Sequence, residues 1–156
     1  MSQFSGYIEL NDYLDNDQLT LWEEFIEERH EKDDGDNCPG YWCQWEVDID
    51  RIKWDGQEKF YYHEEWMQYM LDKFIIPWGL IANGTIDYIG DEAGDVSTLT
   101  VKDNVITVRK KGEDDIKLVS AAVYLSYVTA EVMVNGKLYK LKNEDGKQTC
   151  KEVKNA

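Results

Sequence analysis

The residues of this chain that could do chemistry are mostly carboxylates, and the densest group lies in one short stretch. It comprises five glutamates within nine residues and three aspartates soon after: Glu23, Glu24, Glu27, Glu28, Glu31, Asp33, Asp34 and Asp36. On a helix, nine residues span about 13 Å, so the glutamates would supply one charge per ~3 Å. Duplex DNA presents one per ~1.7 Å. We predict that these eight residues bind a basic protein surface by imitating nucleic-acid charge; the alternative is an ordinary solvated helix face.

A second group of carboxylates surrounds a polar break in the sequence. Its members are Asp87, Asp91, Glu92 and Asp95. They could bind Ca²⁺ or Mg²⁺, or supply the acid–base pair of a small metal-dependent hydrolase. No EF-hand register fits, and a catalytic pair needs two carboxylates in different environments, whereas one turn supplies only one. Solvated turn acids are therefore the preferred interpretation, and we predict a non-enzymatic protein without a cofactor or a metal.

A third pattern is a pair of cysteines with zinc-like spacing. Cys38 and Cys43 are separated by four residues, which lies within the usual range for a zinc knuckle, and His30 and His63 could add ligands. No second cysteine pair accompanies them, so we expect free or packed thiols. With Cys150 the count is three, and no N-terminal signal peptide is recognisable. An odd number of cysteines in such a chain favours a reducing compartment, so we predict a cytoplasmic protein.

The aromatic residues suggest another kind of contact surface. Six residues of the middle region exceed what so small a core must hold: Trp42, Trp45, Trp54, Tyr61, Tyr62 and Trp78. Aromatic rings among acids favour protein or carbohydrate contact over nucleic acid, which requires basic residues between the rings. A structural or assembly protein with an aromatic interface, a homodimer included, is therefore a further alternative.

The charge of the chain is distributed as a gradient. The net charge is −15, with −10 in residues 1–40, −8 in 41–100 and +3 in 101–156. Such a field repels nucleic acids and anionic membranes and attracts basic surfaces. No apolar run approaches the ~18 residues that a membrane span needs. We predict a basic protein surface as the partner, with no direct nucleic-acid binding and no membrane association.

The helices and strands predicted from the sequence indicate an α+β fold, with two helices packed on an antiparallel β-meander in a single domain, 1–156. We divide it into an acidic N-terminal helical region (1–40), a core (41–110) and a β-rich basic C-terminal region (111–156). Asn16 or Asp17 is predicted to cap one helix that runs to about Glu31, since Leu19, Trp22, Phe25 and Ile26 follow helical spacing; Thr20 with Glu23 offers a second possible start. A very apolar second helix is predicted over 62–76, ended by Pro77.

The remaining segments read as strands and turns. Asn83-Gly84 and Asn135-Gly136 are strong signals for two-residue hairpin turns, and Asp103-Asn104 is a weaker one. The last fifteen residues are polar and lysine-rich and are expected to fray. The predicted strands are 6–10, 41–54, 85–89, 98–102, 105–110, 116–119, 122–134 and 137–141.

Residues 54–108 carry a series of motifs. The series begins with Trp54-Asp-Gly-Gln-Glu-Lys-Phe-Tyr and continues with Glu65-Trp66 and Pro77-Trp78-Gly79. It ends with Asn83-Gly84, Asp91-Glu92 and Asp103-Asn104-Val105. The series resembles a family of small uncharacterised proteins of phages, prophages and bacteria, whose pattern has Glu-Asp where this chain has Asp91-Glu92. The resemblance implies a phage or mobile-element setting and no mechanism. Together with the charge, it predicts a phage-encoded inhibitor that blocks the nucleic-acid-binding surface of a host protein by charge mimicry.

Overall fold

The structure, a computed structural model, describes most of the chain as far as Val119 and three later segments. The described ranges are 2–31, 38–112, 117–119, 130–134, 137–144 and 147–152, the last three as backbone. Ten strands and two helices form this part of the chain. They are β1 Gln3–Leu10, α1 Asn16–Glu27, β2 Trp45–Asp48, β3 Arg51–Trp54, α2 His63–Met70, β4 Ala82–Ile89, β5 Val96–Lys102, β6 Val105–Lys110, β7 Lys117–Leu118, β8 Ala130–Val134, β9 Lys137–Glu144 and β10 Lys147–Glu152.

The strands are antiparallel throughout the described residues, and the predicted α+β fold is confirmed. Seven strands form one sheet in the order β2-β3-β1-β4-β5-β6-β7, in which β4 to β7 are a meander. A three-stranded sheet has the order β10-β9-β8. The expected fraying of the last fifteen residues is wrong for residues 142–144 and 147–152, because they belong to the paired strands β9 and β10.

Both helices contribute to one buried cluster with the seven-stranded sheet. From the sheet come alternate residues such as Ile8, Leu99 and Val101, as the period of two requires. The predicted stop at Pro77 is wrong, because Ile76 is still helical (φ −65°, ψ −49°) and Trp78 N donates to Phe74 O at 3.0 Å, across the proline. The second helix, predicted over 62–76, is α2 with its continuation as a π-helical turn, Leu71–Ile75. Its buried residues are Trp66, Met67, Met70, Leu71, Phe74 and Ile75. No helix of the described residues combines the length and apolar character that crossing a bilayer requires.

The N-cap of α1 is Asp15 rather than Asn16 or Asp17, and the helix ends four residues early. Asp15 and Gln18 form a reciprocal capping box at its start. Trp22 is buried, while Leu19, Phe25 and Ile26 are half-buried against the core, as their spacing predicts. The predicted end at Glu31 is wrong, because Glu28 is already extended (φ −90°, ψ 143°). The backbone N–H of His30 then donates to the carbonyl of Tyr41, which draws the chain away from the helix axis.

The strand predicted over 41–54 is instead the hairpin of β2 and β3. It turns at Ile49-Asp50, where Ile49 has a positive φ of 53° that is rare for a β-branched residue. The carbonyls of this turn accept hydrogen bonds from Leu14 N and Leu10 N. A segment distant in sequence thus stabilises the turn, which explains why local propensity pointed to a continuous strand.

Two of the three predicted hairpin turns lie in the described residues, and the stronger signal is the wrong one. Asp103-Asn104 connects β5 to β6 with φ values of 47° and 68°, so the weaker signal is confirmed as a two-residue turn. Asn83-Gly84 lies inside β4, and the turn predicted there is wrong. A Cβ on Gly84 would lie 2.5 Å from Tyr7 O, so this glycine permits the close pairing of β1 with β4. Asn135-Gly136 lies outside the described residues.

Candidate functional site

The glutamates predicted to bind a partner lie at the C-terminal end of α1 and just beyond it. Glu23, Glu24 and Glu27 belong to the last two turns of the helix, Glu28 is its C-cap and Glu31 follows in the extended segment. All five are exposed. We call these five residues the α1 acidic surface. Glu31 does not share the helix face that the sequence suggested, and Asp33, Asp34 and Asp36 lie outside the described residues.

The electrostatic position of this surface is unfavourable for the isolated protein. The C-terminal end of a helix carries a partial negative charge, which favours cations over carboxylates. The last turn of α1 contains no basic residue. Arg29 forms an ion pair with Glu31. Within the part of the chain that the structure describes, Glu23, Glu24, Glu27 and Glu28 form no salt bridge. These four charges therefore repel one another and the helix end.

A groove of about 1080 Å³ adjoins the α1 acidic surface and shares Glu27 with it. Four aromatic residues line it and expose about half of their surface or more: Tyr41, Trp42, Tyr61 and Tyr62. Four carboxylates lie among them: Glu27, Glu46, Asp55 and Glu58. Lys59 is the only cation of the lining that the structure describes. We call this feature the aromatic groove.

Gln44 connects the two sides of the aromatic groove. Its Nε2 lies 3.3 Å from both Glu58 O and Lys59 O, to which it donates, so the side chain holds the loop that follows β3. The backbone N–H of Asp55 donates to Gln44 O at 3.0 Å. Gln44 is only 8% exposed, and its Oε1 accepts no hydrogen bond from any described residue. A buried acceptor of this kind is rare, because its desolvation is not offset by a partner.

The rim of the groove is also held in unusual backbone geometry. Lys59 and Tyr62 have positive φ values of 60° and 59°. The Tyr62 ring lies over Gly40, where a Cβ would approach Tyr62 Cδ2 to 3.1 Å and Trp66 Nε1 to 3.4 Å. Tyr62 is also the N-cap of α2, so the helix start sets the position of this ring.

Burial changes the acidity of two groups in the groove. It raises the pKa of the Asp55 carboxyl, and the hydrogen bond from Gln57 N opposes that shift in part. Burial raises the pKa of the Cys43 thiol to about 12, although the backbone of Trp45 opposes the shift, and the nearby Asp55 adds to it. Cys43 is therefore protonated at neutral pH and is a poor nucleophile.

The second carboxylate group does not converge on one point. Asp87 lies in β4 and accepts a hydrogen bond from Thr98 Oγ1 at 2.8 Å. The Asp95 side chain lies against Gly90, across the β4–β5 turn that contains Asp91 and Glu92. The described residues include no group of three or more His, Cys, Asp or Glu side chains placed to hold a metal ion. These four acids accordingly lie in and beside a turn rather than around a common ligand.

The cysteines and histidines of the considered zinc pattern are separately packed. Cys38 and Cys43 are free and buried, and Cys38 Sγ lies 3.5 Å from Tyr69 OH. The His30 ring stacks on Phe25 at 4.1 Å, with Nε2 2.8 Å from Phe25 O, next to the end of α1. His63 instead lies between Phe4 and Tyr88, and burial lowers the pKa of its imidazole.

The predicted aromatic surface divides into exposed and packed residues. Trp42, Tyr61 and Tyr62 line the groove, whereas Trp45 is fully buried and Trp54 and Trp78 pack against the core. Sequence reasoning missed Tyr41 and Gln44. Tyr41 is signalled only by its position beside Trp42. Gln44 has no local signal, since its role depends on the loop at residues 58–59.

Comparisons of this chain with protein-family models, with curated proteins and with solved structures find no match. The resemblance of residues 54–108 to small phage and bacterial proteins therefore stays a prediction.

Proposed function

We propose that this protein is a non-enzymatic, acidic binding module that covers the nucleic-acid-binding surface of a basic host protein. The α1 acidic surface is the contact region, and the phage or mobile-element setting is the one that the sequence resemblance implies. Charge mimicry is the means: closely spaced carboxylates take the place of phosphates against lysine and arginine side chains.

The observation that supports this proposal is the position of four glutamates of the α1 acidic surface, all but Glu31, at the negative end of α1, where they form no salt bridge with any described residue. Like charges at helical spacing cost ~0.2–0.5 kcal/mol per pair. Carboxylates near a helix C-terminus add a further cost of ~0.3–1 kcal/mol each. A basic partner would remove both costs on binding. A surface that is unfavourable alone and relieved by a cationic partner is typical of a binding site rather than a solubilising face.

Affinity capture tests the proposal. The tagged protein is incubated with a nuclease-treated bacterial lysate, and bound proteins are eluted with increasing salt or with duplex DNA. We expect a nucleic-acid-binding protein that elutes at moderate salt and is displaced by DNA, since screening weakens contacts between exposed charges.

Charge-reversed variants locate the contact. The triple variant E23K/E24K/E28K changes the α1 acidic surface and leaves Glu27, which also lines the aromatic groove. The matched control E9K/D91K/E92K changes the net charge equally at exposed positions elsewhere. Loss of capture with the first variant alone supports the proposal. Equal capture by both variants would show that the α1 acidic surface is not the contact.

A further inference from the structure

The aromatic groove has the chemistry of a receptor for a cationic side chain, because its lining combines carboxylates with exposed aromatic rings. The four carboxylates of the lining can accept hydrogen bonds. The exposed rings of Trp42 and Tyr61 present π faces beside them. Arginine and lysine side chains carry donors only, so they complement such a lining.

The charge of the groove favours the same ligand. Its lining holds four carboxylates against the single cation Lys59, a net charge of −3 among the described residues. Glu46 is partly compensated by Lys53, whose Nζ lies 3.8 Å from Glu46 Oε1. Glu58 and Asp55 have no salt bridge with any described residue. Partial burial at Asp55 increases the benefit of a nearby positive charge, because the interaction is less screened there.

The protein already places a guanidinium against one ring of this groove. The Cζ atom of Arg29 lies 4.4 Å from the centre of the Tyr41 ring, within the range of a cation–π interaction. Arginine is better suited than lysine to such a site, because its planar group stacks on rings and bonds carboxylates through two N–H groups. The groove volume of about 1080 Å³ is at the upper end for small-ligand sites and fits a short peptide segment.

We infer that the aromatic groove binds an arginine side chain presented by an extended basic segment of a partner protein. The guanidinium stacks on the exposed rings of the lining, such as Trp42 and Tyr61, and donates to its carboxylates. This inference deepens the proposed function and rests on it for the identity of the partner class. The α1 acidic surface attracts the basic partner, and the groove selects arginine within it.

Fluorescence polarisation with short peptides tests the inference. The probe is a fluorescein-labelled heptapeptide with two arginines among glycines and serines. A second peptide carries citrulline in place of arginine, which keeps the shape and removes the charge. We expect binding of the arginine peptide and at least about tenfold weaker binding of the citrulline peptide, because charge-assisted hydrogen bonds and the cation–π contact are lost together. Equal binding of both peptides would overturn the inference.

A matched pair of double variants locates the peptide. Tyr61→Ala with Glu58→Gln removes one ring and one charge from the groove and leaves the Glu58 carbonyl that Gln44 uses. Tyr13→Ala with Glu92→Gln removes the same groups outside the groove, and Tyr13 is 69% exposed against 67% for Tyr61. We expect the groove variant to weaken arginine-peptide binding about tenfold and the control to leave it unchanged. An unchanged affinity of the groove variant would contradict the placement.

The two proposals fail in different ways. If the wild-type protein captures a nucleic-acid-binding protein through the α1 acidic surface but binds no arginine peptide, the groove inference fails alone. If it binds the arginine peptide in the groove but captures no such protein, the proposed function fails alone. Binding of a neutral oligosaccharide such as cellohexaose, without binding of the arginine peptide, would overturn the inference in favour of a carbohydrate ligand.

Discussion

The chain segment from 40 to 66 places aromatic residues in two opposite environments. Trp45 and Phe60 join Phe4 and His63 in a cluster beneath β1, with ring centres 4.9 to 6.3 Å apart. Trp42 and Tyr61, only a few residues away, line the aromatic groove and remain half-exposed or more. We call the first set the buried aromatic cluster. Its members pack against one another, whereas core packing does not explain why aromatic residues occupy the positions that line the groove.

The polar atoms of the two sets differ in the same way. Trp45 Nε1 donates to His63 O at 2.9 Å, and Trp45 O accepts from Trp22 Nε1 at 3.0 Å. In the groove, Gln44 Oε1 accepts no hydrogen bond from a described residue. The core outside this cluster also holds buried atoms without a partner among the described residues, Trp66 Nε1 and Thr100 Oγ1. The exposed rings, rather than the single unpartnered acceptor, therefore distinguish the groove as a contact surface.

The largest expected difference between the two sets is in stability. Trp45→Ala removes a fully buried ring and its hydrogen bond, and we expect a loss of ~3–5 kcal/mol in the free energy of unfolding. Trp42→Ala removes a ring that is 48% exposed, and we expect a change within ~0.5 kcal/mol. Urea denaturation followed by circular dichroism measures both. A loss for Trp42→Ala as large as that for Trp45→Ala would place Trp42 in the core and end the distinction.

A smaller effect is expected where β1 meets β4. Gly84→Ala would bring a Cβ to 2.5 Å from Tyr7 O and 2.9 Å from Ile8 Cα, both backbone atoms. The strand that carries Phe4 must then shift, and we expect a loss of ~1–3 kcal/mol. Gly94→Ala is the matched control, because Gly94 has a positive φ of 88° but nothing within 4 Å of its added Cβ. Equal losses for the two variants would show that backbone conformation, not close pairing, explains Gly84.

Such non-local contacts set the limit of what the sequence could predict. The fold class and the buried face of α2 follow from spacing within single elements, and both are confirmed. The N-cap of α1 lies one or two residues before the predicted one. The hairpin turn predicted at Asn83-Gly84 is wrong because Gly84 instead permits close pairing with β1, which lies 70 or more residues earlier in the chain. In the groove, Trp42 and Tyr61 stood out by composition. Gln44 did not, since only the approach of residues 58–59 gives it a role.

The pH dependence of stability tests the buried aromatic cluster by another route. Burial lowers the pKa of His63 from its ordinary value of 6.5, while the charges of Glu64, Glu65 and Asp95 oppose that shift and Lys117 adds to it. The unfolded chain then binds the proton more readily, so stability is full above pH 6.5 and decreases as the pH falls from 6.5 toward the lower folded-state pKa. Because burial and the nearby carboxylates shift the pKa of His63 in opposite directions, the decrease in stability should be smaller than the loss in Gly84→Ala.

Melting temperatures between pH 7.5 and 5.5 measure this decrease, and His63→Gln is the reference because it cannot take up the proton. We expect the wild type to lose stability relative to His63→Gln over this range. Parallel pH profiles would show that His63 is protonated as easily in the folded protein as in the unfolded chain, and that the cluster is open to water.

The smallest expected effect is at the exposed α1 acidic surface, and it is a gain in stability rather than a loss. Glu28→Lys replaces the carboxylate at the C-cap of α1 with a cation, and we expect the free energy of unfolding to rise by ~0.3–1 kcal/mol at low salt. Glu92→Lys, an equal charge change at an exposed turn, should leave it within ~0.5 kcal/mol. Urea denaturation at low and high salt measures the difference, which added salt should reduce.

The value of Glu28→Lys lies in measuring stability and capture on the same variant. A glutamate kept for folding should give a loss of stability when reversed, and one kept for solubility should leave capture of the basic partner unaffected. A glutamate kept for binding should give a more stable protein that captures its partner less well. Opposite changes in the two measurements would mean that α1 gives up stability at its C-terminal end in order to present charge, and that function rather than folding explains the glutamates there.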